Sequence, residues 1–358
     1  MKYLIIFIPI TFLCKYFFPN DFLIFFSSAI GLIALSGFLG ESIETISDHT
    51  SVKMGSLINA TLGNAAELIF TIIALKAGQI ALVKGAIIGA LLGNLLLLPA
   101  LSMIIGGIKN GRQYFNKEPV SANSTMMTLA VVGFILPTIF EILREAQNHH
   151  AFKMIISDNK LETYSLGIAC VLMLVYLLSL VFSFTQKEDP EEKPIPVSKS
   201  EEDDKTKWSL TKGLVVMAVS TILLILVSDI LVSSVDPVIH SFNLSPTFLG
   251  IILIPILSDV AEHVVAVQQA YKNKMDLSLS ITLESATQIA LFVAPLLIFI
   301  AFFLGKSMTL FFGPLEVVVL GLSIYLVTKI AEDGECNWFE GVQLIIVYVM
   351  AALGFYFM

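Results

Sequence analysis

The chain has 358 residues, of which 56% are hydrophobic and 14% charged, with a mean hydropathy of +0.86 and a formal net charge of −8. A soluble domain is about 45–50% apolar and about 25% charged, so the composition excludes a water-exposed globular fold and a disordered chain. The 21 Lys and Arg against 29 Asp and Glu offer no basic footprint for nucleic acid, and Cys14, Cys170 and Cys336 have neither disulfide-scaffold nor metal-ligand spacing.

In chain order, apolar stretches long enough to cross a bilayer core fall at about 3–18, 22–40, 56–75, 79–106, 122–144, 164–185, 209–235, 246–271, 277–304, 309–329 and 338–358. The expectation is an all-α integral membrane protein of about eleven transmembrane helices. The first stretch contains Lys15 and has no small-residue cleavage site after it, so it reads as a retained span rather than a signal peptide. With eleven spans, 14 of the 21 Lys and Arg fall on the side of the N-terminus and seven on the other. The positive-inside rule then places the N-terminus in the cytoplasm and the C-terminus outside. The one long polar segment, 186–207, carries eight acids, five lysines and three prolines. It reads as a solvated cytoplasmic connector, with a weak cation-attracting or regulatory role as the alternative.

Two segments of the chain resemble each other. Gly63-Asn64-Ala65-Ala66-Glu67-Leu68 matches Ser258-Asp259-Val260-Ala261-Glu262-His263, each deep in an apolar stretch. Each precedes a span with a polar cluster: Gly89–Asn94 ahead of Pro99, and Glu284-Ser285-Ala286-Thr287-Gln288 ahead of Pro295. The Gly89-xxx-Gly93 spacing is common in packed membrane helices and weak alone. Glu67 falls in the third span and Glu262 in the eighth, so the two copies are expected to cross the membrane in opposite directions. The predicted organisation is an extra N-terminal helix (1–20), a five-helix repeat (21–185), the acidic linker (186–207) and an inverted five-helix repeat (208–358). That arrangement is a secondary-transporter architecture with its site at mid-membrane.

A carboxylate at the bilayer centre costs about 2.5–3.5 kcal/mol even on the lenient insertion scale. Glu67 and Glu262 have no Lys or Arg near mid-depth in their own spans, which leaves a metal cation or protons to neutralise them. Calcium takes several oxygen ligands. Two glutamates, with Asn64, Asn94, Asp259, Gln288 and carbonyls freed at helix breaks near Gly63 and Pro255, would supply them. Without Cys or Met, a soft site is disfavoured. Two carboxylates carry either one divalent cation or two protons at the same net charge, and that competition produces antiport. Glu284 is a further candidate proton site. Glu41, Glu44, Asp229 and His263 are candidates for the pathway or gate; Glu41, Glu44, Asp229 and Glu316 lie near span ends, where solvation is the default reading and a pathway role the alternative. Asn64, Asn94 and Gln288 have a bland alternative as interhelical polar glue, and the Phe and Met content reads as lipid-facing bulk. No catalytic residue and no cofactor are expected; an intramembrane hydrolase lacks a nucleophile or His-Glu-x-x-His motif, and a passive cation channel would show flux indifferent to a pH gradient.

On Gly63–Ile69 (GNAAELI), Gly93–Leu98 (GNLLLL), Val260–Val267 (VAEHVVAV), Lys272–Asp276 (KNKMD), Ser285–Pro295 (SATQIALFVAP) and Asn337–Gly341 (NWFEG), the chain resembles the calcium/proton exchanger family of the calcium/cation antiporter superfamily. The resemblance covers essentially the whole chain and is similar to bacterial and archaeal members. It implies that Glu67 and Glu262 are the central cation- and proton-binding carboxylates. It also implies inverted halves joined by an acidic linker, and export of Ca2+ from the cytoplasm against incoming H+. Separately, the lack of a long N-terminal tail leads to the expectation of a prokaryotic plasma membrane rather than a vacuolar one. Na+/Ca2+ or another divalent cation/H+ exchange stays open, as does a homo-oligomer. The chain departs from the family at Ser258-Asp259, where Gly-Asn is usual, at Glu284, where Gly is usual, and at Asp229, where Glu is more usual. Asp259 and Glu284 are therefore expected to shift ion selectivity or proton stoichiometry.

Overall fold

The computed structural model describes residues 2–147, 159–185 and 208–357; the acidic linker lies outside them. The described chain is mainly helical, with one two-residue strand pair and short connecting loops. A short 3-10 turn leads into α1 (Phe7–Phe17), followed by α2 (Asp21–Asp48), α3 (Val52–Leu62), α4 (Ala65–Lys76), α5 (Ile80–Leu92), α6 (Leu98–Asn110), α7 (Lys117–Gln147) and α8 (Asn159–Thr185). After the linker come α9 (Leu210–Phe242), α10 (Pro246–Phe248), α11 (Ile254–Ser258), α12 (Val260–Tyr271), α13 (Met275–Gln288), α14 (Ala294–Phe303), α15 (Pro314–Ala331) and α16 (Trp338–Tyr356).

Nine helices among the described residues are long and apolar enough to cross a membrane, and the pair 246–258 and 260–271, bent by 63°, makes a tenth. The stretch expected to be the first of eleven spans is a shorter apolar helix, Tyr3–Phe17. At 1.5 Å per residue it extends only about 22 Å, against a hydrocarbon core of about 30 Å. It lies along α2, burying Ile8, Thr11 and Cys14.

Proline shapes three of the spans in the same way. Gly93–Leu97, Leu249–Leu253 and Ile289–Val293 are each a five-residue π turn, and Pro99, Pro255 and Pro295 follow each turn by two residues. Proline cannot donate to the carbonyl four residues back, and its ring collides with it. The wider turn moves that carbonyl aside: Leu98, Ile254 and Ala294 each donate to the carbonyl five residues earlier. The break expected near Pro255 therefore does not fall there. The α-helix resumes through Pro255 and ends at Asp259, whose N–H donates to the Pro255 carbonyl (3.0 Å).

The two chain segments flanking the linker meet through glycines. A Cβ on Gly89 would lie 2.1 Å from the Ile251 carbonyl oxygen, and one on Gly85 would lie 2.8 Å from that of Thr247 and 3.0 Å from Gly250 Cα. Helix α5 thus packs backbone to backbone on the π turn before α11. The motif that closes this contact is Gly85-xxx-Gly89; Gly93 has open space around its Cβ direction. Helix α6 packs in the same manner on α16, at Gly107 against Trp338 and at Gly341 against the Ala100 carbonyl. The Phe and Met residues expected to face lipid divide: Phe302, Phe303 and Phe357 are exposed, but Phe70, Phe134, Phe312, Met127 and Met275 are buried in the core.

A buried loop between α14 and α15 fixes one end of the molecule. Met308, Thr309, Leu310 and Phe312 are buried, and non-helical backbone at such a place must be satisfied by protein groups. Lys84 Nζ donates to Thr309 Oγ1 (3.1 Å) and to the Phe311 carbonyl (2.8 Å). The Leu310 N–H donates to Ser165 Oγ (3.1 Å), and Thr138 Oγ1 bonds both the N–H and the carbonyl of Phe312. Glu316, expected to be solvated at a span end, is instead buried: it caps α15 through the Gly313 N–H (2.6 Å) and faces the Lys84 ammonium. Lys84→Met is expected to destabilise the protein by about 1–3 kcal/mol, because buried acceptors lose a charged donor; a lowered thermal unfolding midpoint in detergent is the readout. At the opposite end of α15, Gln113–Tyr114 pairs antiparallel with Glu335–Cys336, beside an Arg112–Glu335 ion pair of 2.9 Å. Burial, then the nearby Glu340 and Glu335 carboxylates, push the Cys336 thiol up to about 12, so it stays protonated and unreactive near neutral pH.

Candidate functional site

Two helices begin inside the apolar region, and the two expected glutamates sit in their first turns. Asn64 is the N-cap of α4 and Glu67 its third residue; Asp259 is the N-cap of α12 and Glu262 its third residue. Asn or Asp followed three residues later by Glu is a capping-box pattern. Neither cap forms: the side chains of Asn64 and Asp259 make no bond to their own helix N–H groups. Both turn toward the middle of the molecule. Each helix start therefore keeps uncapped N–H groups and the positive end of its dipole beside a carboxylate, worth about 0.3–2 kcal/mol toward the anion.

The turned side chains form one cluster drawn from both chain segments. Asn64 Nδ2 donates to Gln288 Oε1 (2.9 Å), Ser285 Oγ donates to Asn64 Oδ1 (3.0 Å), and Asn94 Nδ2 donates to Ser285 Oγ (3.1 Å). Asn64, Asn94 and Ser285 are all buried. On the other side Ser258 Oγ donates to Asp259 Oδ1 (2.7 Å), and the Asp259 carboxyl lies beside Glu67. Glu262 approaches both Glu67 and the Ser285 hydroxyl. Ser285 has a single O–H, so Asn64 and Glu262 compete for it. The sequence does not mark it as a site residue, although it stands inside the Glu284–Gln288 cluster and joins Asn64, Asn94 and Glu262.

The cluster is rich in unused acceptors. Asp259 Oδ2, Glu262 Oε2 and Asn94 Oδ1 are buried without a hydrogen-bond donor, and so is His263 Nε2. Buried acceptors without donors are rare and costly, and all three oxygens are hard ligands. Neither glutamate has an ion pair with Lys or Arg among the described residues. No three His, Cys, Asp or Glu side chains among the described residues stand close enough to hold one ion together, so amide, hydroxyl and carbonyl oxygens would have to complete any coordination. A narrow cavity bordered by Glu67, Thr71 and Ser258 adjoins the cluster, its other walls apolar. The structure therefore brings together Glu67, Glu262, Asn64, Asp259, Gln288 and Asn94. It does not bring in Glu41, Glu44 or Asp229, which are exposed on α2 and α9, and Glu284 is exposed one turn from Gln288. His263 is half-buried and adjacent.

Two of the family-like motifs turn out to shape helix ends. Asn337 caps α16 in a full capping box with Glu340. In Lys272–Asp276, Asn273 takes a positive φ of 61°, and Asp276 accepts the Asn116 N–H.

The sodium/calcium exchanger protein family matches residues 20–185 and 212–357. The chain belongs to this family. Among its relatives, the Ca(2+)/H(+) antiporter of Aphanothece halophytica is 36% identical over 99% of this chain and 95% of its own length. The Ca(2+)/H(+) antiporter ChaA of Bacillus subtilis is 35% identical over 91% of this chain and 90% of its own. The structure of native YfkE superposes with a TM-score of 0.82 at 31% identity, covering 99% of both chains. The family match leaves out residues 186–211 and all of α1, and so falls on the helices that build the cluster.

Proposed function

We propose that this family member is a Ca2+/H+ antiporter of a prokaryotic plasma membrane, in which Ca2+ and protons compete for Glu67 and Glu262. The observation that carries the reading is the pair of uncapped helix starts that bring Glu67 and Glu262 together with Asp259 and no basic residue. Buried carboxyls side by side need a proton or a cation to offset their mutual repulsion. In the proton-loaded state each glutamate is neutral. Entry of one divalent cation as two protons leave preserves the net charge of the site. Asn64, Asn94 and Gln288 orient the carboxylates and supply neutral oxygens, and Ser285 can release Asn64 to serve Glu262. The lysine distribution supports an N-terminus and acidic linker in the cytoplasm with export of Ca2+, and the matched Asn/Asp-x-x-Glu motifs support two inverted five-helix halves. The names of the similar antiporters favour protons over sodium as the counter-ion.

The test is flux of radiolabelled calcium in proteoliposomes with pH, sodium and voltage gradients imposed separately. Uptake driven by the pH gradient and indifferent to sodium is expected; sodium-driven flux, or flux blind to both gradients, would refute it. Asp259→Asn is expected to alter the proton count or the order of divalent preference, since it removes the third carboxylate of the cluster. Identical stoichiometry, pH profile and ion preference in this variant would show that Asp259 is a spectator.

A further inference from the structure

Helix α13 is buried along its length except at Asp276, Leu277, Ser280, Ile281, Glu284 and Gln288. Positions 277, 281, 284 and 288 recur at helical spacing, so the accessible residues form one stripe. The stripe ends at Gln288, which accepts a hydrogen bond from Asn64 in the central cluster. A stripe that ends there opens on the interior of the molecule rather than on lipid. Helix α3 reaches the same place from the same end: a Cβ on Gly63 would lie 3.3 Å from Gln288 Oε1, and Asn59 and Ser56 are exposed one and two turns before it. The matching helix of the other chain segment, α5, has no such stripe. From Leu82 to Leu92 it is buried everywhere but at Lys84, and Gly89 is pressed on the Ile251 backbone.

We propose that the α13 stripe and α3 line a water-filled crevice, open where α3 and α13 begin, and that Glu284 is the first carboxylate a divalent cation meets on its way to Glu67 and Glu262. Glu284 sits one turn, about 6 Å, before Gln288. A carboxylate facing lipid at that depth is strongly disfavoured, whereas in a narrow crevice with low-dielectric walls it concentrates cations. Its role is to raise capture from one side of the membrane, distinct from the binding step itself. The inference rests on the antiport reading above, and its test separates the two.

In oriented proteoliposomes, Glu284→Gln is expected to raise the KM for Ca2+ about three- to tenfold, the low end of electrostatic capture effects. The change should appear only from the side where α13 begins, grow at low ionic strength and fall on KM rather than kcat. Glu284→Asp should restore the KM. A lowered kcat at unchanged KM, or an equal effect from both sides, would overturn the proposal. Independently, Glu284→Cys and Asn59→Cys, each in a Cys170→Ser background, should react with a membrane-impermeant maleimide from that side only. The remaining native thiols, Cys14 and Cys336, are buried. Failure to label from that side would overturn the crevice. If the wild-type protein shows no flux driven by a pH gradient, the antiport reading fails while the labelling still judges the crevice.

Discussion

Glu67→Gln and Glu262→Gln are each expected to reduce pH-gradient-driven Ca2+ uptake to the background of empty vesicles. The amide keeps the shape of the side chain and one coordinating oxygen. It carries no charge to offset the cation, and it cannot take up the proton that must return. A single substitution therefore removes one ligand charge and one proton carrier together, and the cycle loses both of its legs. Folding should not suffer. Removing a carboxylate at this depth relieves a burial cost of about 2.5–3.5 kcal/mol on the insertion scale, so the thermal midpoint in detergent should hold or rise. Normal uptake in both variants would eliminate the two-glutamate mechanism. Loss of uptake together with a lowered midpoint would indicate a structural role for the side chain instead.

Gly89→Val is expected to prevent formation of the stable protein, whereas Gly93→Ala is expected to be tolerated. The first substitution places carbon 2.1 Å from the Ile251 carbonyl oxygen, and its neighbours there are all backbone atoms. Backbone cannot rotate away as a side chain can. The strain exceeds the about 1–3 kcal/mol typical of overpacked cores, and it falls on the contact that joins the two chain segments. At Gly93 a Cβ meets nothing within 4 Å, and the residue has ordinary helical φ and ψ. Yield of monodisperse protein and the thermal midpoint would distinguish the two. A well-folded Gly89→Val variant would mean that α5 and the α11 region can separate without penalty.

The membrane character and the two glutamates were legible because each is a local violation of composition: long apolar runs, then acids inside them with no basic neighbour. Asn64 and Asp259 were legible through their common offset from Glu67 and Glu262. What stayed hidden depended on distant contacts. Nothing in the sequence around Gly85 marks it as facing Thr247, so the neighbouring Gly89-xxx-Gly93 drew attention instead. Glu316 looks like any acid at a span end until Lys84 reaches it from more than 200 residues away. Ser285 is one hydroxyl among many, and its importance comes from standing between Asn64, Asn94 and Glu262. Pro255 announced a distortion correctly, but the π turn absorbs it upstream, and the helix breaks only at Asp259.

Those π turns also set the rotational phase of the helices that carry them. Each holds one residue more than an α-helical turn would, and one residue corresponds to about 100° of rotation. In the span formed by α13 and α14, the surplus residue lies directly after Gln288. The polar half and the apolar half of that span can then each aim at its own surroundings, instead of one compromising for the other. Deleting a single residue between Ile289 and Val293 would leave every ligand in the sequence and every helix in place. It would nonetheless turn Gln288 and Ser285 away from Asn64 by about a quarter of a revolution. In this protein the bearing of the site is held by the count of residues ahead of a proline.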